Sequence, residues 1–84
     1  MPYTIELKRS AEQELESLPA KIHNRIIRVL LSLKDNPFPH NAKKLHGREG
    51  VRIRVGNYRI IHVVDNTDKK IEVFSIADRK DVYR

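Results

Sequence analysis

Val51-Arg52-Ile53-Arg54-Val55-Gly56-Asn57-Tyr58-Arg59-Ile60-Ile61 alternates apolar and basic side chains with a period of two. That is the pattern of a strand with one buried face. Gly56-Asn57 interrupts it with two residues that tolerate positive φ, which suits a tight two-residue hairpin. Such a turn sets Val55 opposite Tyr58, Arg54 opposite Arg59 and Ile53 opposite Ile60. Val51, Ile53, Val55, Tyr58 and Ile60 then share one face, and Arg52, Arg54 and Arg59 share the other. Like charges directly opposite one another destabilise a hairpin. Three stacked guanidinium groups make sense with an anion between them, because Arg grips phosphate with two parallel hydrogen bonds. A solvated basic face is the other reading open at this point.

Outward from the hairpin, the charge is uneven. The 84 residues carry a net +6, of which residues 1–40 hold +1 and residues 41–84 hold +5. A basic face of this kind attracts nucleic acid or another polyanion, without specifying sequence choice or catalysis. Five aromatic residues are too few for an extended base-stacking platform. Length predicts one small domain over residues 1–84. With no cysteine, disulfide and thiolate chemistry are excluded. No apolar run is long enough for a membrane span, and the first residues lack a signal-peptide pattern, so a soluble cytoplasmic protein is expected.

Toward the N-terminus, residues 2–7 read as a short strand with Tyr3, Ile5 and Leu7 on one face. Ser10 followed by Gln13 reads as a capping box, predicting a short helix from about 11 to 17. Pro19 suits the first turn of a second helix. There Ile22, Ile26, Leu30 and Leu33 form an apolar stripe, with Ile27 and Leu31 at its margin where a partner could use them. Lys21, Arg25, Arg28 and Lys34 lie mostly off it. The helix should end before Asn36-Pro37-Phe38-Pro39. Residues 36–50 read as a loop whose Lys43, Lys44, His46 and Arg48 either reach the same anion as the hairpin or are simply solvated. Residues 65–70 form a polar turn, and Ile71 to Ala77 another strand. His62 falls on the Tyr58/Ile60 face, so it belongs to the core or its margin. The histidine spacings match no metal motif, and no metal or cofactor is expected.

The predicted fold is therefore α+β. Two N-terminal helices pack on one face of a mostly antiparallel four-stranded sheet, in the order β-α-α-β-β-β. The Arg52/Arg54/Arg59 face should be the open one, and suits single-stranded RNA better than a duplex.

Three stretches carry a family resemblance: Lys44-Leu45-His46-Gly47, the hairpin itself, and Ala77-Asp78-Arg79-Lys80-Asp81-Val82-Tyr83-Arg84. Together they resemble the RelE toxins, in a superfamily that also holds the ParE toxins. The hairpin is shared across the superfamily, whereas the closing Arg79–Arg84 segment looks like the RelE branch. The resemblance implies the toxin of a type II toxin–antitoxin pair. It would enter the ribosomal A site and cut mRNA there without a metal. The 2′-OH would attack the adjacent phosphate, leaving a 2′,3′-cyclic phosphate and a 5′-OH. The catalytic positions carried over are Arg52, Arg54, Arg59, Arg79 and Tyr83, and His46 stands where relatives have a further basic residue. The implied partners are a cognate antitoxin, the ribosome and mRNA. Val51 stands where many relatives have an aromatic residue, and Asp78 where many have a basic residue or His; the Asp78 carboxylate could pair with Arg79 and weaken its hold on phosphate. A ParE-like toxin acting on DNA gyrase is the alternative, and an RNA-binding module without chemistry is a third reading.

Overall fold

The computed structural model describes residues 2–78. In chain order it contains β1 (Thr4–Leu7), α1 (Arg9–Glu16), α2 (Ala20–Leu33), β2 (Lys43–Lys44), β3 (Val51–Val55), β4 (Tyr58–Asp65) and β5 (Lys70–Asp78). The sheet has five strands in the order β1-β5-β4-β3-β2. The expected four-stranded sheet is corrected by β2, a two-residue edge strand paired with β3. Two residues are too few for an alternation to register in a sequence. The β1–β5 pair is parallel and the remaining pairs are antiparallel, so the sheet is mixed.

The hairpin has the expected register, with Val55 opposite Tyr58, Arg54 opposite Arg59 and Ile53 opposite Ile60. Only Gly56 of the two turn residues has a positive φ, +61°. This matches the hairpin turn that carries glycine at its first central position. One face of the sheet is apolar. Ile53, Val55, Ile60, Ile71, Val73 and Ile76 are buried there against Ala11 and Leu15 of α1 and Ile26, Leu30 and Leu33 of α2. The predicted stripe of α2 is thus core, Ile27 is half-buried at its margin, and Leu31 is 56% exposed.

The capping box does not form. Helix α1 begins at Arg9 with Lys8 as its N-cap, so Ser10 already lies inside the first turn. Its Oγ instead donates to the carbonyl of Phe74 at 3.1 Å. Strand β1 pairs with β5 only as far as Val73. Beyond that point α1 takes over the edge. The Ile76 N–H donates to Glu14 Oε1 at 2.9 Å, and Lys8 N–H donates to Val73 O at 2.9 Å. A sheet edge that would otherwise present unpaired backbone groups is thereby covered.

Candidate functional site

Strand register assembles the basic residues. Lys43 sits opposite Arg52, and Arg52 opposite Ile61; Arg54 sits opposite Arg59, and Arg59 opposite Ala77. Directly paired residues project from the same side of a sheet, as do residues two apart on one strand. Lys43, Arg52, Arg54 and Arg59 therefore share the face opposite the Ile53/Ile60 core. The expectation that this face is the one without helices is met.

Two shallow clefts indent it. One, of about 280 Å³, is lined by Asn41, Lys43, Arg52 and Arg54. The other, of about 250 Å³, is lined by Lys43, Lys44, Leu45, His46, Arg52, Arg59 and Ile61. Among the described residues no carboxylate lines either one. Their exposure is graded. Arg54 and Lys43 are exposed and Arg52 is half-buried, whereas Arg59 is only 4% exposed. The reading of these three arginines as one open basic face needs correcting at Arg59. Strand β4 has a long strand on either side, whereas β3 is flanked on its outer side only by two-residue β2, so Arg59 has the least access to solvent. A cation withdrawn from water acts more strongly on a phosphate that reaches it than an exposed one does.

His46 joins this cluster. Arg48, which the loop reading left either reaching that anion or solvated, lines neither of these clefts. It lines a separate cleft with Phe38, Lys44, Leu45, Glu49, Gly50, Val51, Val63 and Val64. Leu45 N–H donates to Gly50 O at 3.0 Å, closing the loop that carries His46 and Arg48. Gly50 has φ +131°, and a Cβ there would lie 2.9 Å from Leu45 Cδ1, so only glycine fits this closure. Arg79 and Tyr83 lie outside the described residues, as does the suggested pairing of Asp78 with Arg79. Among the described residues no group of three His, Asp or Glu side chains converges on a metal-sized site.

His62 is fully buried, as expected from its face. Its Nε2 lies 3.1 Å from the carbonyl of Pro37. A carbonyl only accepts, so Nε2 carries the proton in this contact. Burial pushes the imidazole below its ordinary value, and the Pro37 contact opposes this in part. Sequence reasoning placed His62 but not its tie to the Asn36–Pro39 turn, which depends on tertiary contact across 25 residues.

Comparison with known proteins adds the identity of the fold. The family described as "ParE toxin of type II toxin-antitoxin system, parDE" matches residues 5–83. Toxin RelE of Mycobacterium tuberculosis is 28% identical, with 99% of this chain and 88% of the relative covered. The archaeal RelE–RelB complex from Pyrococcus horikoshii superposes with a TM-score of 0.84 at 28% identity, covering 94% of this chain and 97% of that one. The toxin–antitoxin complex RelBE2 from M. tuberculosis gives 0.83 at 22% identity, over 94% of this chain and all of that one. An α+β fold with this sheet, a match over residues 5–83 and RelE relatives along nearly the full length agree: the chain belongs to the RelE/ParE toxin family of type II toxin–antitoxin systems.

Proposed function

We propose that this toxin is a ribosome-dependent endoribonuclease, an mRNA interferase that cuts mRNA in the ribosomal A site and so inhibits translation. The observation that carries the reading is the cleft that gathers Lys43, Lys44, His46, Arg52 and Arg59 beside exposed Arg54, with no carboxylate among its described lining residues. Such a cleft suits a phosphate whose negative charge grows during reaction.

In the proposed reaction the substrate 2′-oxygen loses its proton to a base and bonds to the adjacent phosphorus. The bond from phosphorus to the 5′-oxygen breaks, and that oxygen takes a proton. The products are a 2′,3′-cyclic phosphate and a 5′-OH. Arg59, shielded from water, clamps the phosphorane. Arg52 and Arg54 position the scissile phosphate. The family resemblance assigns the base to Tyr83 and the leaving-group side to Arg79. Tyrosine has an ordinary pKa of about 10 and needs neighbouring cations to act near neutrality. Arginine stays protonated, so Arg79 stabilises charge and does not supply the proton. Lys43, Lys44, His46 and Arg48 hold RNA. The ribosome supplies the bent, aligned mRNA that a site built on electrostatics requires. No metal enters the reaction.

RelE and RelB are found together in the structures this fold matches, which supports a cognate antitoxin for this chain. The antitoxin would silence the site by neutralising the arginines or displacing Tyr83. Because the matching family is described by ParE, a second reading is a toxin that acts on DNA gyrase without cutting RNA.

Primer extension on mRNA in a purified translation system, with and without ribosomes, separates the two. Ribosome-dependent cuts at A-site codons, lost in Tyr83→Phe and Arg79→Ala, are expected. Intact mRNA together with inhibited gyrase supercoiling would establish the second reading instead.

A further inference from the structure

The proposed reaction gives no role to Phe38 or to the apolar part of the cleft it shares with Lys44 and Arg48. This cleft is about 370 Å³, within the range of small-ligand sites, and lies against β2 from the loop side. Phe38 is 49% exposed, one of the two large apolar side chains most open to solvent among the described residues. Its backbone is nevertheless fixed. Pro37 is buried, and its carbonyl accepts the proton of fully buried His62. Phe38 N–H donates to Asn36 Oδ1 at 3.3 Å, and Ala42 N–H donates to Pro39 O at 2.8 Å. An aromatic ring carried on a pinned turn is a preformed surface that costs little to order on binding.

The rest of the lining points to what would cover that ring. Among the described residues Val51, Val63 and Val64 supply an apolar base, and Lys44 and Arg48 supply two cations against the single carboxylate of Glu49. Lys44 pairs with Val51, so the Phe38 cleft opens on the other side of the sheet from the arginines, and the two clefts adjoin at the β2 edge, where Lys44 and Leu45 line both. A strand that rounds this edge would set a flat group at Phe38 and an anion at the arginines. Nucleotides within a strand have that chemistry, with a π-face that stacks on an aromatic ring and a phosphate that cations hold.

We infer that the Phe38 cleft is a nucleobase subsite, taking a base of the same single-stranded RNA whose scissile phosphate lies among Arg52, Arg54 and Arg59. The inference rests on the reading of the arginine cleft as an RNA site. Phe38 stacks on the base, Arg48 and Lys44 hold its phosphate, and His62 is a positioning residue acting through Pro37.

The test uses the whole chain and a 2′-O-methyl hexaadenylate, which lacks the attacking hydroxyl and cannot be cut. Fluorescence anisotropy should show binding weakened about tenfold or more in Phe38→Ala and restored in Phe38→Trp. Backbone NMR shifts on titration should include Val51, Val63 and Val64 along with Arg52 and Arg54. Unchanged affinity in Phe38→Ala, with shifts confined to the arginine face, would overturn the subsite. So would a Phe38→Ala variant that loses antitoxin affinity while keeping RNA affinity, because the cleft would then hold a protein side chain. The endonuclease reading fails separately. A wild type that binds the hexamer through Phe38 yet cuts no mRNA on ribosomes would remove the reaction and leave the subsite. Intact cutting with unaltered affinity and base preference in Phe38→Ala would do the reverse.

Discussion

The two margins of the sheet treat charge in opposite ways. At the β1–β5 margin cations meet carboxylates. Lys8 Nζ lies 2.9 Å from Glu72, and Lys70 Nζ lies 3.6 Å from Glu6. The hydrogen bond between Lys8 and Glu72 raises the lysine and lowers the carboxylate from their ordinary values. Lys8 also sits 5.5 Å from the centre of the Phe74 ring, within cation–π range. At the β2–β3 margin Lys43, Arg52, Arg54 and Arg59 share a face whose clefts contain no carboxylate among the described residues. The same sheet thus has one margin where cations and carboxylates pair and another where cations are gathered on one face. That gathering follows from the strand register, which no local rearrangement relieves without breaking the hairpin. It is the arrangement that the proposed phosphate site calls for.

Removing a member of each set gives the widest separation between the margins. Arg52→Ala should reduce ribosome-dependent cleavage by about 10²–10³, the loss typical of one donor to a developing oxyanion. Glu72→Gln, at the opposite margin, should leave the cleavage rate at wild-type level. Single-turnover primer extension on both variants makes the comparison. Equal losses would mean that the division between the margins is not functional.

The covered edge of β5 offers the next largest effect, and it should register in stability alone. Glu14→Ala removes the acceptor of the Ile76 N–H in a half-buried setting. An amide left without its partner costs about 1–3 kcal/mol. Urea unfolding should show that loss, with mRNA cleavage per folded molecule unchanged. A Glu14→Gln variant keeps an acceptor oxygen and should recover most of the stability.

How much of this was legible differs between the margins as well. The hairpin, its register and the grouping of Arg52 with Arg54 follow from alternation and a two-residue turn, both local. The apolar stripe of α2 is equally local, since helical spacing alone selects Ile26, Leu30 and Leu33. Strand β2 was not legible, because Lys43-Lys44 forms an element only when β3 lies beside it. Ser10 illustrates the same limit from the other side. Its spacing to Gln13 fits a capping box, yet a strand 64 residues away takes its hydroxyl. Burial of Arg59 depends on the position of β4 in the sheet order, which alternation cannot convey. The separation of Arg48 from His46 likewise depends on how Gly50 closes their loop.

His62 gives a pH test of the basic margin. It shares a row with Val51 and Val73 and ties the Asn36–Pro39 turn to β4. Its folded-state value lies below the ordinary 6.5 because burial disfavours the imidazolium. As pH falls through about 6.5 the unfolded chain takes up this proton first, so folding stability declines. The decline continues down to the lowered folded-state value and then stops. Above about 6.5 the contribution is fully present. Denaturant midpoints between pH 8 and pH 5 should therefore fall on the acid side. His62→Phe should flatten that part of the profile, whatever its effect on the midpoint at pH 8.

The smallest expected effect asks whether excess positive charge extends beyond the sheet. Helix α2 contains Lys21, Arg25 and Arg28 and no acidic residue, in contrast to α1 with Glu12, Glu14 and Glu16. Lys21 stands near the positive end of the α2 dipole and four residues before Arg25, two unfavourable placements. Arg25 also reaches the hairpin tip, where its guanidinium would lie 3.4 Å from a Cβ placed on Gly56. Lys21→Glu converts a repulsive i,i+4 pair into an attractive one and puts an acid in the first turn. It should stabilise the fold by about 0.2–0.5 kcal/mol at low salt, an effect that fades as ionic strength rises. If the same variant also binds ribosomes less tightly, α2 belongs with the arginine face as a surface kept positive against its own stability. If ribosome binding is unchanged, the functional asymmetry ends at the hairpin tip, and the charge of α2 has no part in it.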